Sequence, residues 1–152
     1  MYNELGPGLL ESVYERAMAY ELENLGYEVR RQVGISMAYK KIEYDVGFRM
    51  DLLVNNLVIV EVKSVETLHE VHFKQLLTYL KLSKIKLGLL INFNSSSLKS
   101  SIKSSQYLNS VNLNRCKVCN RLLIILNKWE VSLNSEAIPK NTLEDTRFLS
   151  SL

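Results

Sequence analysis

Three charged side chains interrupt an otherwise apolar stretch of the chain, MDLLVNNLVIVEVKS at residues 50–64. Asp51 and Glu61 are carboxylates, and Lys63 lies two residues beyond Glu61. The plainer interpretation is that all three charges are solvated at the ends of two strands. The alternative is a metal-dependent catalytic site, because two carboxylates offer the oxygen ligands that a hard divalent cation prefers. Lys63 would then reach a phosphate or an attacking water.

The loop between the two strands decides between these interpretations. A two-residue turn at Asn55-Asn56 would pair Asp51 with Val60 and send the glutamate to the opposite face. A three-residue loop, or a single bulge, would set Asp51 opposite Glu61, with Cβ atoms roughly 4.5–5.5 Å apart. Two carboxylates at this distance repel each other unless a cation lies between them. The same register predicts a wholly apolar opposite face, formed by Leu52, Val54, Val58, Val60 and Val62.

Length and composition predict one globular domain. The 152 residues, of which 47% are hydrophobic, suffice for one substantial core. No apolar run approaches the roughly 18 residues of a membrane helix, and the first residues lack the basic and apolar segments of a secretory signal. The two cysteines do not make a disulfide framework, so we expect a reducing, cytoplasmic environment.

Other catalytic or metal-binding patterns are weaker. Cys116 and Cys119 form a single C-x-x-C pair, whereas structural zinc usually has four ligands, and the two histidines are far away in sequence. A Ser–His–Asp hydrolase is disfavoured because the chain has no G-x-S-x-G motif. Phosphate-binding-loop and dinucleotide-binding fingerprints do not occur either.

Charge is unevenly distributed around a net value of +3. The first 70 residues hold twelve of the sixteen acidic side chains, whereas residues 71–129 hold ten basic side chains and no acidic one. The asymmetry suggests an acidic half that holds cations and a basic half that meets a polyanion. Ordinary solvated lysines explain the basic half equally well.

Helix signals occur at two places. The first helix is predicted to open at Gly6-Pro7 and to stop at Gly26. Its predicted apolar positions are Leu9, Leu10, Val13, Ala17, Leu22 and Leu25. Thr67 and Glu70 form a predicted capping box for the second helix. The predicted apolar positions of that helix are Leu68, Val71, Leu76, Tyr79 and Leu80.

Strands are expected over 27–39 and 42–49, and a turn at Lys40-Lys41 joins these two. Further strands are expected on both sides of Asn55-Asn56 and over 86–93. Hairpin-connected strands followed by a helical crossover predict an α/β (α+β) fold, with a mixed central sheet flanked by helices. After Asn94 the sequence becomes serine-rich, and we expect a loop or a poorly formed helix there.

The charged stretch resembles the PD-(D/E)XK nuclease superfamily, with Asp51 as the first acid and Glu61-Val62-Lys63 as the E-x-K element. The segment GLLESVY, through Gly8, Glu11 and Tyr14, is similar to the G-x-x-E-x-x-Y signature of the GxxExxY protein family.

Two further segments carry the same resemblance. QLLTY, through Gln75 and Tyr79, is similar to the Q-x-x-x-Y motif of the RecB-like branch, and LGLLINF is similar to the strand that follows it. The resemblance implies a restriction-endonuclease-like core over residues 1–103, in the order α-β-β-β-α-β, with its N-terminal helix truncated. Residues 104–152 would form a divergent, partly ordered C-terminal extension.

The resemblance also implies a Mg²⁺- or Mn²⁺-dependent nuclease that hydrolyses phosphodiester bonds. Asp51, Glu61 and the Val62 carbonyl would hold the cation. Glu11 would be a further ligand, directly or through water, and Lys63 would position or activate the nucleophile.

Other residues are assigned to the substrate by the same resemblance. Tyr14, Gln75 and Tyr79 would orient the substrate or the lysine. The nucleic acid, DNA in the first instance, would meet the basic half of the chain at Lys74, Lys81 and Lys84.

A second hypothesis is a catalytically inactive relative that binds nucleic acid or another protein. The intact Asp51, Glu61 and Lys63 argue against it, and the shortened first helix and unfamiliar tail argue for it. Neither hypothesis involves a membrane. An exposed edge strand or a shortened first helix would favour a homodimer.

Overall fold

The computed structural model describes residues 6, 8–39, 42–95, 98–106, 118, 120, 121 and 124, with the backbone alone at 38, 39, 42–46, 98 and 99. The predictions for Pro7, for the Lys40-Lys41 turn and for Cys116 and Cys119 lie outside these residues. Among the residues that the structure describes, none of the helices has the length and apolarity that crossing a bilayer requires.

Five strands form one mixed sheet. They are β1 (Val29–Tyr39), β2 (Ile42–Val54), β3 (Val58–Lys63), β4 (Leu87–Asn92) and β5 (Ile102–Gln106), and they lie side by side in that order. β3 and β4 are parallel, and the other neighbours are antiparallel. The helices are α1 (Glu11–Asn24), α2 (Glu70–Ser83) and α3 (Leu98–Ser101). A mixed sheet flanked by helices confirms the predicted fold class, and α2 provides the crossover that a parallel pair requires.

The two faces of the sheet carry separate cores, with α1 on one face and α2 on the other. On the α1 side, the face predicted to be apolar is completely buried, at Leu52, Val54, Val58, Val60 and Val62. On the α2 side, Leu53, Ile59 and Leu90 pack with Leu76, Tyr79 and Leu80. Burial on both faces explains why β3 and β4 are apolar runs without alternation.

The first helix begins at Glu11, so the prediction that it opens at Gly6-Pro7 is wrong. Gly6 and Gly8 have φ values of +67° and +95°, which a right-handed helix does not contain. The Tyr14 hydroxyl holds this lead segment against the helix, since it donates to Gly6 O at 2.5 Å and accepts from Leu9 N–H at 3.2 Å. Gly8 therefore precedes the helix and does not share a face with Glu11.

The buried stripe of α1 also differs from the prediction. It consists of Tyr14, Glu15, Met18, Ala19 and Leu22, so only Leu22 was predicted. Leu10, Val13 and Leu25 are exposed. The predicted stop is correct: Gly26 has φ +83°, and backbone bonds from Gly26 to Glu23 and from Tyr27 to Leu22 close the helix.

The second helix begins at Glu70, but its cap is His69 rather than Thr67. The His72 N–H donates to the His69 carbonyl at 3.0 Å, and the His72 Nδ1 accepts from the N–H of His69 at 3.1 Å. The predicted capping box of Thr67 and Glu70 is therefore wrong. Val71 is exposed, contrary to the prediction, because the helix buries the side that carries Leu76, Tyr79 and Leu80.

The serine-rich segment after Asn94 contains a short helix and a strand, where a loop or poor helix was predicted. β5 pairs antiparallel with β4 from Ile102 to Gln106 and becomes an edge of the sheet. It crosses the proposed boundary between residues 1–103 and 104–152, which stays a prediction. Val118 packs in the α1-side core.

The side chains of β1 change from one face of the sheet to the other at Gln32. Val29 packs against the α1-side core, whereas Val33 packs against the α2-side core. Residues four apart in a regular strand point to the same face, so the strand rotates between them. Gln32 has φ +51°, a left-handed conformation that produces this rotation.

β2 makes the same exchange at the same level. Leu52 belongs to the α1-side core and Met50 to the α2-side core, although two residues of a strand that are two apart normally share a face. Asp51 lies between them and stands across from Gln32, because the pairs on either side of it are Arg31 with Leu52 and Val33 with Met50. Gln32 and Asp51 thus mark a pivot of the β1–β2 pair.

The packing of α2 on β4 gives a stability prediction. A Cβ on Gly88 would lie 2.6 Å from Leu76 Cδ1, and Leu76 is completely buried. We expect Gly88→Ala to destabilise the chain by about 1–3 kcal/mol through overpacking. The matched control is Gly34→Ala, where a Cβ would meet nothing within 4 Å. Urea unfolding of both variants measures the effect, and equal stability of the two would contradict the close packing.

Candidate active site

A three-residue loop joins β2 to β3, and it decides the register that the sequence left open. Leu52 pairs with Val60 and Val54 with Val58, which leaves residues 55–57 in the loop. Asn55 and Asn56 have φ values of +49° and +55°, a conformation that asparagine tolerates better than most residues. Continuing the same register brings Asp51 beside Glu61.

Asp51 and Glu61 contact each other where β2 begins to separate from β3. The Asp51 N–H donates to Glu61 Oε1 at 3.4 Å, and Asp51 Oδ2 accepts from the Val62 N–H at 2.9 Å. An aspartate side chain therefore occupies the position at which the backbone ladder would continue. Because the N–H and C=O of a strand residue point the same way, the Val62 carbonyl is also directed toward Asp51.

Burial dominates the electrostatics of the carboxylate pair. Glu61 is only 1% exposed. Burial, reinforced by the negative charge of Asp51, raises the pKa of Glu61 to about 8, and Lys63 lowers it less than these two raise it. Burial also raises the pKa of Asp51, against the opposing effects of the Val62 N–H and of Lys63. Glu61 is thus largely protonated at neutral pH as long as no further cation is bound.

Lys63 lies between two glutamates. Its Nζ is 3.7 Å from Glu61 Oε2 and 3.8 Å from Glu11 Oε2. Glu11 Oε1 accepts from the Ser64 N–H at 3.0 Å, which fastens the start of α1 to the end of β3. The Lys63 side chain is 12% exposed, whereas that of Glu11 is 44% exposed. The structure therefore brings Glu11 to the lysine rather than to Asp51.

α2 presents a polar side to the pair. Gln75 Nε2 donates to the Tyr79 hydroxyl at 2.6 Å. Burial raises the pKa of Tyr79, and the charges of Glu61 and Asp51 raise it further. Burial lowers the pKa of His72, as do the neighbouring charges of Lys63 and His69. The structure thus places Tyr79, with Gln75 bonded to it, near the carboxylates, and His72 near Lys63 and Glu11.

A cavity of about 480 Å³ lies at the start of α2 and is lined by Val65, Glu66, Thr67, His69 and His72. Asn92 holds the lining residue Val65 in place, because its side chain accepts from the Val65 N–H at 3.1 Å and donates to the Val65 carbonyl at 2.7 Å. Asn92 is buried at the end of β4. Sequence reasoning missed this residue, and the only signal was a polar residue inside the run LGLLINF.

Two other residues near Asp51 were also missed. Glu15 is a buried carboxylate on α1, and Arg31 Nε donates to its Oε1 at 2.9 Å. Gln32 Nε2 donates to Glu15 Oε2 at 2.8 Å and to Asp51 Oδ1 at 3.3 Å. Neither Glu15 nor Gln32 belongs to a sequence motif. The only available signal was that Glu15, a charged residue, directly follows Tyr14 of the G-x-x-E-x-x-Y signature.

Some predicted site residues lie away from the carboxylates. Tyr14 is completely buried, and its ring stacks on Phe93 at a centroid distance of 4.5 Å, so it positions the lead segment and the core. Lys74, Lys81 and Lys84 are exposed on α2 and at its end, and Lys74 Nζ is 3.1 Å from Glu70 Oε1.

The donor set fits a hard divalent cation. Asp51 and Glu61 supply adjacent carboxylate oxygens whose charged forms are disfavoured by burial, and the charge of Asp51 disfavours that of Glu61 further. A cation between them would reverse this effect. Within the described part of the chain, no group of three or more His, Cys, Asp or Glu side chains could hold a metal ion. Further ligands would be the Val62 carbonyl, water and substrate oxygens, which Mg²⁺ commonly retains.

Comparison with known proteins agrees with the fold. The sequence model of the PD-(D/E)XK nuclease superfamily matches residues 1–105, and the chain belongs to this superfamily. The match covers the carboxylates, the lysine and both flanking helices. No curated protein and no solved structure matches the chain.

The buried Glu61 predicts a pH-dependent stability. Its pKa is about 8 in the folded chain against 4.5 for an ordinary glutamate. Folding therefore favours the protonated form of Glu61. Its contribution to the free energy of unfolding is complete below pH 4.5 and is lost as the pH rises through 8. Glu61→Gln should match the wild type near pH 4.5 and exceed its free energy of unfolding by about 4 kcal/mol near pH 8.5.

Urea unfolding in the presence of a chelator, at several pH values between 4.5 and 8.5, measures this difference. Glu23→Gln is the control, because Glu23 is exposed near the end of α1 and should give a curve parallel to that of the wild type. A Glu61→Gln curve parallel to the wild-type curve would show that Glu61 is not destabilised by its charge.

Proposed function

We propose that the chain is a Mg²⁺- or Mn²⁺-dependent nuclease that hydrolyses phosphodiester bonds. The observation that carries the proposal is the adjacent pair of half-buried Asp51 and buried Glu61, with Lys63 3.7 Å from Glu61. A structural role alone does not explain two adjacent carboxylates whose charged forms are destabilised by burial. The membership of the nuclease superfamily supports the same activity.

The proposal assigns each group by its contacts. Asp51, Glu61 and the Val62 carbonyl would hold the cation, which supplies an activated water and stabilises charge on the phosphate. Lys63 would position the nucleophile or stabilise developing negative charge. Glu11 orients Lys63 through its contacts with Nζ and with the Ser64 N–H, so we assign it to the lysine ahead of the cation.

The residues of α2 are assigned to the substrate. Gln75 and Tyr79 form one hydrogen-bonded unit beside Glu61, which suits them to orient Lys63 or a phosphate oxygen. We retain the RecB-like branch and the GxxExxY family as the finer assignment, because Gln75, Tyr79 and Glu11 carry those motifs and lie at the site. Tyr14 then acts on the site through the segment before α1.

Nucleic acid, with DNA as the first candidate, is the proposed substrate. Exposed Lys74, Lys81 and Lys84 would contact the phosphate backbone without reading sequence. We also retain a cytoplasmic setting in the proposal, because the chain has only two cysteines.

Three variants separate cation binding from turnover. Asp51→Ala and Glu61→Ala should weaken Mn²⁺ binding by at least about tenfold, since each removes an anionic ligand. Lys63→Ala removes a positive charge, so Mn²⁺ binding should persist or tighten while turnover falls by about a hundredfold or more. Calorimetric Mn²⁺ titration and cleavage of single- and double-stranded DNA and RNA measure the two properties. Glu23→Ala, far along α1, is the control for loss of a carboxylate.

The outcomes distinguish the competing interpretations. Equal loss of Mn²⁺ binding in all three variants would assign Lys63 to structure, and undiminished cleavage by Lys63→Ala would remove it from the mechanism. A wild-type chain that binds nucleic acid but cleaves none of the substrates would instead be the catalytically inactive relative.

The lysines of α2 predict salt-dependent binding. Lys74→Ala and Lys81→Ala should each weaken DNA binding uniformly across sequences and reduce the slope of log K against log salt by about 1. Fluorescence anisotropy in a chelator, at several salt concentrations, measures the slope without cleavage. Arg16→Ala on the exposed side of α1 should leave the slope unchanged. An equal effect of Arg16→Ala would mean that net charge, and not α2, determines binding.

A further inference from the structure

Gln32 has an unfavourable backbone conformation in the middle of β1. Its φ of +51° is one that residues with a Cβ rarely adopt, and glutamine lacks the short polar side chain that makes asparagine an exception. Residues held in such conformations cluster at functional sites, where the surrounding structure fixes them. The pivot of β1 and β2 explains why the chain turns here, but any residue that tolerates this φ would serve that purpose.

The side chain of Gln32 makes contacts that the pivot does not require. Its amide nitrogen donates to Glu15 Oε2 at 2.8 Å and to Asp51 Oδ1 at 3.3 Å. The left-handed backbone makes this reach possible, because Glu15 is on α1 while Asp51 stands across from Gln32 in the sheet. The amide thus joins a helix to the catalytic strand.

Glu15, at the α1 end of this connection, is held in place by its own contacts. Glu15 is 5% exposed, and its Oε1 accepts from Arg31 Nε at 2.9 Å, so both of its oxygens are engaged. The Gln32 carbonyl in turn accepts from Arg49 Nη1 at 3.4 Å. At Asp51, the amide engages Oδ1 and the Val62 N–H engages Oδ2. The orientation of the Asp51 carboxylate is therefore fixed from two directions.

We infer that Gln32 is a positioning residue, which holds the Asp51 carboxylate in the orientation that cation binding requires. Its consequence for turnover rests on the proposed function. Glutamine suits the position chemically, because one neutral NH₂ group donates to two carboxylates at once. A glutamate there would add a third negative charge, and a lysine would compete with the cation for Asp51.

Because the backbone of Gln32 is left-handed, a glycine substitution removes the side chain without straining the backbone. Gln32→Gly removes the amide but tolerates the same φ, so the relief of the backbone conformation offsets part of the cost of leaving Glu15 Oε2 without its donor, and the variant should stay folded with a melting temperature close to that of the wild type. We expect its Mn²⁺ affinity to fall by about tenfold or more and kcat by about 10–100-fold, the range for losing a group that hydrogen-bonds a metal ligand, with KM for DNA nearly unchanged. Gln32→Asn keeps a shorter amide that also tolerates this φ, and it should recover part of the affinity.

Asn56→Gly is the matched control. Asn56 has φ +55° and a side-chain amide, but it contacts Arg30 and Glu28 instead of the carboxylate pair. The control should leave Mn²⁺ affinity and kcat at wild-type values. Calorimetry, steady-state cleavage and thermal melting of all four proteins complete the experiment.

Each result has one meaning. A stable Gln32→Gly variant with wild-type Mn²⁺ affinity and kcat would overturn the positioning role and leave the proposed function intact. Equal losses in Gln32→Gly and Asn56→Gly would overturn it as well, since the effect would not depend on Asp51. A wild-type chain without Mn²⁺ binding or cleavage would overturn the proposed function, and the positioning role with it.

Discussion

The close approach of two carboxylates, one of them buried, is the constraint on which the arrangement of this protein depends. Burial raises the pKa of both Asp51 and Glu61, and the negative charge of Asp51 raises the pKa of Glu61 further. Such a pair persists only because neighbouring groups hold it in place. The donors are two backbone N–H groups, of Asp51 and Val62, the side-chain amide of Gln32 and the ammonium of Lys63. The three-residue loop that fixes the register is therefore a condition for the site as well as for the sheet.

The sheet is regular where it forms the core and irregular where it carries charge. β3 and β4 pair without interruption from Val58 to Lys63, and this ladder supports Glu61 and Lys63. On the other side, β2 separates from β3 beyond Leu52, so that the Asp51 side chain replaces a backbone partner. The rotation of β1 at Gln32 occurs at the same level. A continuous ladder here would have satisfied the Val62 N–H with a backbone carbonyl and left Asp51 without this partner.

The sequence predicted those features whose causes are local. Alternation and apolar runs identified the central strands, and the spacing of Asp51, Glu61 and Lys63 identified the carboxylate pair once the loop length was allowed to vary. The α1 stripe was mispredicted because Tyr14 and Met18 were not counted, and because left-handed glycines delay the helix until Glu11. β5 is a polar edge strand without a periodic signal, so only its pairing with β4 defines it. Contacts between distant segments, such as that of Gln32 with Glu15, leave no pattern in the sequence.

The charges at the site indicate why its side chains form a set. Glu15 is paired with Arg31, so it adds little net charge. Asp51, Glu61 and Glu11 together contribute three negative charges when ionised, and Lys63 contributes one positive charge. Protonation of Glu61 reduces the excess to one charge but leaves Asp51 and Glu11 sharing a single lysine. A divalent cation would compensate the fully ionised set, and no further lysine or arginine contacts Asp51 or Glu61 among the described residues. The net charge of the ionised set is two negative units, which equals in magnitude the charge of one divalent ion.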